Sequence, residues 1–506
     1  MIVNNPILRG FYPDPSICKA NGKYYMICSS FQYFPGVPVF ESDDLIHWNQ
    51  IGHCLTRPNQ VDLRKVNSSG GVFAPTIRYH DSTFYMVTTN DTYHKNFYVT
   101  TTDVYGEWSD PIFVDQGGID PSLFFEDGKT YFMSNGNDEN GDGCILQCEI
   151  DVKTGERLTE SKPIWKGTGG RYLESPHLYR FGDWYYIMAA EGGTEFGHMI
   201  TYAKGTSPYG PFVPYHKNPV LTNRNLGGPQ SLIQGIGHGD LIQDDEGNTF
   251  MVCLGFRQAG VWVPYHHLGR EVFLVPVHWD ADGWFTAGID GTVKQKMEVS
   301  IPESNADPTS YNASLGSMKK TPHRWCYLRD PALENYQILE NKIRLRGTDV
   351  TINQPGIPTF LGIRQSEFHT DFTINITCTN GEAGVTYYMD ENHHYDVALT
   401  NNDDHSKQVI LRICVGDLKT VVNQVLLPAD CTNATLKIVS DPLYYYFYCD
   451  INGDESFLGK AQAKYLSTEV TGGFTGVVMA MYAEQKEINP DAWADFIDFH
   501  WEQYSE

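Results

Sequence analysis

From residue 1 to about 300, apolar positions come in short runs or alternate with polar ones, and Gly, Pro, Asn and Asp cut the runs apart. Aromatic and β-branched residues fill the runs and no long 3.6-residue period appears, so the pattern predicts strands. One cassette recurs five times. It starts as Asp14-Pro15-Ser16-Ile17, with a turn at Asn21-Gly22-Lys23 and an apolar run at Tyr24-Tyr25-Met26-Ile27. The other copies begin at Ala74-Pro75-Thr76-Ile77, Asp120-Pro121-Ser122-Leu123, Glu174-Ser175-Pro176-His177-Leu178 and His238-Gly239-Asp240-Leu241. Their spacing, about 47 to 65 residues, suits one four-stranded sheet per repeat and predicts a five-bladed β-propeller. Third strands are expected at 37–42, 96–100, 145–150, 199–203 and 272–277, and fourth strands at 44–48, 106–109, 210–213 and 283–285.

Residues 301–318 are polar and rich in Ser, Asn and Pro, which predicts a linker. Beyond it the repeat is lost. Residues 319–506 give many short strands, among them 372–376, 408–413, 435–439 and 444–448, with turns at Asn380-Gly381 and Asn452-Gly453. This half reads as a β-sandwich or jelly roll. The chain is therefore all-β, with a propeller over 1–300 and a sandwich over 319–506.

Charge narrows the partners. The formal net charge is −25 over 506 residues, which argues against nucleic acid and is compatible with a small neutral substrate. No apolar run reaches the roughly 18 residues of a membrane helix, so no membrane partner is expected. Met1–Pro6 lacks a basic segment followed by an apolar core, so no secretory signal is read there. The 11 cysteines are scattered without CxxC spacing, which suits reduced thiols in a cytoplasmic protein. A homo-oligomer is left open.

In a propeller the first strand of each blade lines the central channel. Aligning Ile17, Ile77, Leu123, Leu178 and Leu241 puts Asp14, Ala74, Asp120, Ser175 and His238 at one level, with Glu174 one residue earlier. A lone Asp-Pro is ordinarily a turn or cap. Three carboxylates in register on repeats point instead to chemistry. Crowded, half-buried carboxylates push each other's pKa apart, which makes one an acid and another a base. Glycoside hydrolysis needs such a pair, and a separation of roughly 6.5–9.5 Å gives inversion. Phe31 and Phe73 are candidates to stack on a sugar ring, and Arg270 to reach a hydroxyl or hold a carboxylate ionised. His238 is a core histidine, a hydrogen-bond partner or, with Asp240 nearby, part of a metal site.

Other chemistries find little support. Gly128-Lys129-Thr130 resembles the end of a phosphate loop, but Leu123 stands where its first glycine belongs. Neither HExxH nor GxSxG occurs. The pairs His266-His267 and His393-His394 would point to opposite faces of a strand.

Several motifs follow one another in order: Gly10-Phe11-Tyr12-Pro13-Asp14-Pro15-Ser16, Phe34-Pro35-Gly36-Val37, Gly117-Gly118-Ile119-Asp120-Pro121-Ser122, Leu173-Glu174-Ser175-Pro176-His177, Ala190-Glu191-Gly192-Gly193-Thr194 and Leu268-Gly269-Arg270-Glu271. Together they resemble glycoside hydrolase family 43, and most of all its two-domain β-xylosidases. Gly381–Val385 and Ala494–Phe499 resemble the C-terminal concanavalin-like sandwich of those enzymes. The resemblance implies an inverting mechanism without a required cofactor. In it Asp14 is the general base, Glu174 the general acid and Asp120 the carboxylate that orients and tunes the acid. It further implies that Arg270 and Phe31 bind the sugar and that His238 lies beside a calcium ion or its waters in the channel. Phe474, in Gly472-Gly473-Phe474-Thr475-Gly476, matches a pocket-closing loop of the second domain.

Two departures bear on the substrate. Phe73 stands where the family's xylosidases usually carry Trp, and Asp240 adds an acid beside His238. The expected activity is release of terminal xylose from xylo-oligosaccharides of hemicellulose. An α-L-arabinofuranosidase, alone or bifunctional, is the alternative, and a sugar-binding propeller without catalysis comes from a different class.

Overall fold

The computed structural model of the protein describes residues 2–227, 231–260, 262–301, 313–314, 322–402, 404 and 406–504. Most of the linker expected at 301–318 lies outside the described residues.

Five four-stranded antiparallel sheets form the N-terminal half. Their innermost strands are Ser16–Ala20, Thr76–His80, Ser122–Glu126, Glu174–Phe181 and Ile233–Gln243. Each runs straight into a hairpin partner, as the cassette predicts: Ser16 pairs with Ile27, Thr76 with Val87 and Ser122 with Met133. Each innermost strand touches the next around the ring, and Ile233–Gln243 touches Ser16–Ala20 to close it. The N-terminal strand Ile2–Asn4 pairs with Lys296–Glu298, and the buried Asn5 amide exchanges hydrogen bonds with Leu274, tying the start of the chain to blade five.

The expected third strands are present, but the fourth strands lie a few residues further on. Blade one ends on Asn49–Leu55 rather than 44–48, and blade two on Ile112–Val114 rather than 106–109. Blade four ends on Val213–Pro214 and blade five on Phe285–Ala287. Aromatic residues caused the displacement. Trp48 and Trp108 sit in the connection before the last strand and turn inward, where both are buried in inter-blade cores. Their burial imitates the outward edge of a strand in the sequence.

The C-terminal half is two stacked antiparallel sheets. One is eight-stranded and centred on Ala494–Tyr504 and His369–Cys378, and the other is six-stranded and runs from Thr359–Arg364 to Leu418–Leu426. In His369–Cys378 burial alternates strictly, and Phe372, Ile374, Ile376 and Cys378 face the core. The inner strands of the six-stranded sheet are buried on both faces, whereas its edge strand Leu418–Leu426 is exposed. Ala383, Val385 and Tyr387 pack in the sandwich, while Tyr388, Val478, Ala480 and Tyr482 pack against Phe11, Phe31 and Tyr33 of the propeller. Arg257 locks this junction by pairing with Glu271 of its own blade and Glu367 of the sandwich at 2.8 and 2.9 Å. The sandwich is therefore fixed beside the mouth of the channel.

Candidate active site

At the residue three positions before each register point, four of the five blades share one backbone feature. Asp14, Asp120, Ser175 and His238 are left-handed, with φ of 56°, 55°, 58° and 43°. Asp and His are among the non-glycine residues that tolerate this region best. Such strain costs of order 1–3 kcal/mol per residue and persists where surrounding structure fixes it. In blade four the kink falls on Ser175 and shifts the strand register between Glu174 and His177, so Glu174 rather than Ser175 faces the cavity. Ahead of Asp120 the chain makes a close approach. Gly118 has φ of 85°, and a Cβ there would stand 1.8 Å from the Asn135 carbonyl oxygen.

One cavity of about 340 Å³ opens at this level. Asp14, Asp120, Glu174, Arg270, His238, Phe31, Phe73 and Phe474 all line it. This volume lies at the small end of the roughly 300–1,000 Å³ of ligand pockets. An aromatic corner walls one side. Phe31 and Phe474 stack with centroids 5.9 Å apart, and Phe73 meets Phe31 at 5.3 Å. Phe474 belongs to the sandwich, and its backbone N–H donates to Ser69 Oγ of the propeller at 2.9 Å.

The carboxylates sit in unlike surroundings. Burial would raise the pKa of Asp14, but Arg270, His238 and the Ser29 hydroxyl outweigh it and hold the group below the ordinary carboxylate value. Arg270 Nη1 donates to Asp14 Oδ1 at 3.0 Å, and Ser29 Oγ donates to Oδ2 at 2.5 Å. Glu174 goes the other way. Burial and then the Asp14 charge push it up to about 7. Asp120 is also pushed well up, by burial and by repulsion from Glu174 and Asp14. One cavity thus holds an ionised carboxylate and a protonated one near neutral pH.

Several residues of the site carried no signal in the repeat. Tyr172, two positions before Glu174, lines the cavity, is 64% exposed and adopts a left-handed conformation of φ 54°. Arg171 braces it: the guanidinium lies 5.2 Å from the Tyr172 ring and pairs with Glu195. Glu191, fully buried, accepts from the Thr168 and Gly170 N–H groups at 2.7 and 2.6 Å and so pins the loop that delivers Glu174. His198 also lines the cavity. Its Nδ1 contacts the Gly235 carbonyl at 3.1 Å, which leaves Nε2 as an acceptor without a partner among the described residues. Burial lowers its pKa to about 3, so the ring is neutral. Tyr172 and His198 lie in connections unique to blade four, and Glu191 ends its second strand, Trp184–Glu191, where the repeat carries no matching acid.

Asp240 is not beside the sugar pocket. On a strand, residues two apart share a face, so Ser16, His177 and Asp240 form a layer directly below Asp14, Ser175 and His238. Arg78, from the next layer down, reaches up to it. Arg78 Nη1 donates to Asp240 Oδ2 at 2.8 Å, Nη2 to Oδ1 at 3.2 Å, and Nη2 also to His177 Nδ1 at 2.8 Å. Ser16 Oγ, the Ile17 N–H and Tyr179 OH complete the acceptor capacity of Asp240, at 2.6, 3.1 and 2.5 Å. Calcium takes six to eight oxygen ligands. Here the one carboxylate in the layer below His238 is saturated by donors, and a fixed positive charge sits on the axis. The residues present do not fit calcium.

Residues 3–285 match the family described as glycosyl hydrolases family 43. The chain belongs to that family. Residues 317–502 match the beta xylosidase C-terminal concanavalin A-like domain, so both halves of this family 43 glycoside hydrolase have counterparts in known enzymes. Among its relatives is a non-reducing end alpha-L-arabinofuranosidase of Bacteroides ovatus, 38% identical over 98% of this chain and 94% of that one. A xylosidase/arabinosidase of Butyrivibrio fibrisolvens is 34% identical over 99% of each chain. The crystal structure of xylan beta-1,4-xylosidase from Bacillus halodurans C-125 superposes with a TM-score of 0.91 at 28% identity, covering 99% of this chain and 100% of that one.

Proposed function

We propose that this glycoside hydrolase is exo-acting, inverts the anomeric carbon and removes single terminal pentoses, with β-linked xylose of xylo-oligosaccharides as its main substrate. The observation that carries the proposal is the pairing of Glu174, titrating near 7, with Asp14, held ionised by Arg270 and Ser29, across one small cavity. Glu174 gives its proton to the glycosidic oxygen as the bond to the anomeric carbon breaks. Asp14 takes a proton from a water that attacks that carbon from the opposite face. Glu174 and Asp14 both push the Asp120 carboxyl up, so Asp120 and Glu174 resist being ionised together. Neither step needs a cofactor. Arg270, Phe31, Phe73, His238 and Phe474 hold the ring, and the aromatic corner favours a chain end over an internal sugar.

α-L-Arabinofuranosidase activity is the second reading. Phe73 in place of the expected Trp, and the relative so named, favour it. Steady-state kinetics on nitrophenyl β-xyloside and nitrophenyl α-arabinofuranoside separate the two. A higher kcat/KM on the xyloside is expected, and a much higher value on the arabinoside overturns the order.

The division into a catalytic propeller over 1–300, a linker over 301–318 and a sandwich over 319–506 is part of the proposal. So is a cytoplasmic location, which the 11 unpaired, buried cysteines support. Among the described residues no helix is long and apolar enough to cross a membrane.

A further inference from the structure

Four of the five innermost strands converge on Asp240: blade one with Ser16 and Ile17, blade two with Arg78, blade four with Tyr179 and His177, and blade five with Asp240 itself. The Asp240 side chain is fully buried, and Arg78 is its only cationic hydrogen-bond partner among the described residues. A guanidinium has no acceptor, so the 2.8 Å contact with His177 is donated by Arg78 and accepted by Nδ1. That fixes the His177 proton on Nε2. Nε2–H is buried and has no partner among the described residues, and a protonated nitrogen cannot ligate a metal. The His177 and His238 rings stand 6.5 Å apart, nearly perpendicular, and His238 Nδ1 lies 3.5 Å from Asp14 Oδ1. The chain from Arg78 to the proposed base is therefore short: Arg78, His177, His238, Asp14.

We infer that Arg78 is the channel's resident cation, a built-in replacement for a divalent metal that neutralises Asp240, fixes the His177 tautomer under His238 and makes turnover independent of metal. Arg78 is a positioning residue, since it lies below the cavity and does not line it. Removing its guanidinium strips Asp240 of its counter-ion and frees the His177 lone pair. Asp240, His177 and water would then be a donor set for a hard divalent cation.

The inference rests on the hydrolase reading for its turnover readout alone; metal binding is read without it. Full-length protein is stripped with EDTA and titrated calorimetrically with calcium chloride. The wild type is expected to give no binding heat attributable to the channel and to keep its kcat in EDTA. Arg78→Ala is expected to lose about 10- to 100-fold in kcat with little change in KM. It should also gain a calcium-dependent rise in Tm and recover part of its kcat with calcium. Arg78→Lys, which keeps the charge, should retain more activity than Arg78→Ala and bind no calcium. The double variant Arg78→Ala/Asp240→Asn removes both charges, guards against a folding failure of the single variant and should not bind calcium. Loss of wild-type activity in EDTA with recovery on calcium overturns the inference. So does a calcium-dependent Tm shift that survives in the double variant, or an Arg78→Ala protein that folds, keeps full kcat and ignores calcium.

Discussion

Arg270 and Asp14, 256 residues apart in sequence, meet through one hydrogen bond of 3.0 Å from Nη1 to Oδ1. The same guanidinium donates to Thr194 Oγ1 at 2.8 Å and to the Phe474 carbonyl at 3.3 Å, and it lies 5.8 and 5.7 Å from the Phe31 and Phe474 rings. One side chain thus ties the proposed base, blade four and the sandwich loop together.

Replacing Arg270 should therefore do more than remove a charge. Without it, burial dominates at Asp14 and its pKa rises, so the acid limb of the pH–rate profile moves up. Arg270→Ala is expected to cost about 10²–10³-fold in kcat/KM, on the scale of losing a preorganised charge donor. Arg270→Lys should recover little, because a point ammonium cannot make all three contacts. Profiles of kcat/KM against pH for both variants check this.

The wild-type profile should be a bell. Asp14 must be ionised, and its lowered pKa puts the acid limb below the ordinary carboxylate range. Glu174 must be protonated, so activity falls as pH rises through about 7. Glu174→Gln should abolish turnover on natural glycosides and remove the basic limb on activated leaving groups. The stability sign follows from the raised pKa: the native state binds the extra proton between the unfolded value and about 7, so stability falls as pH rises through that window. Glu174→Gln should accordingly raise Tm more at pH 8 than at pH 4, which thermal melts will show.

Tyr172, two residues before the proposed acid, lines the same cavity. Its exposed ring, braced by Arg171, is expected to act as a stacking platform for a substrate sugar. Tyr172→Ala should raise KM for xylotriose about three- to tenfold, in line with aromatic contacts of about 0.5–1.5 kcal/mol, and leave Tm nearly unchanged. Initial rates over a range of xylotriose concentrations measure it.

Much of this site was legible because of repetition. The cassette set the innermost strands and the register that brings Asp14, Asp120 and His238 to one level. It could not show that blade four turns Glu174 rather than the aligned Ser175 to the cavity, because a bulge leaves no mark in an apolar pattern. The Arg78–Asp240 pair was hidden for another reason. Asp240 neighbours His238 in sequence, but strand periodicity puts it one layer below, and its partner is 162 residues away. Trp48 and Trp108 misled in the opposite direction, since buried aromatics in a connection look like strand positions. Tyr172 and His198 belong to single loops, which no repeat can place.

Phe474 joins the two halves of the protein at the pocket. Phe474→Ala should raise KM for nitrophenyl glycosides about tenfold by removing one face of the aromatic corner. Ser69→Ala, which deletes only the anchor of the loop, should raise it less, about fivefold, as befits one hydrogen bond of about 1 kcal/mol. Comparing the two KM values with unchanged melting curves tests whether the sandwich loop shapes the pocket.

The most direct test of the central claim, that Glu174 and Asp14 act on opposite faces of one sugar, is the anomer first released. Proton NMR during hydrolysis of nitrophenyl β-xyloside, and of the α-arabinofuranoside if it is cleaved, follows that anomer before mutarotation. The expected result is inversion, with α-xylose appearing first from the β-xyloside, and its loss in Asp14→Asn. First appearance of the retained anomer, or undiminished turnover by Asp14→Asn, would contradict the account.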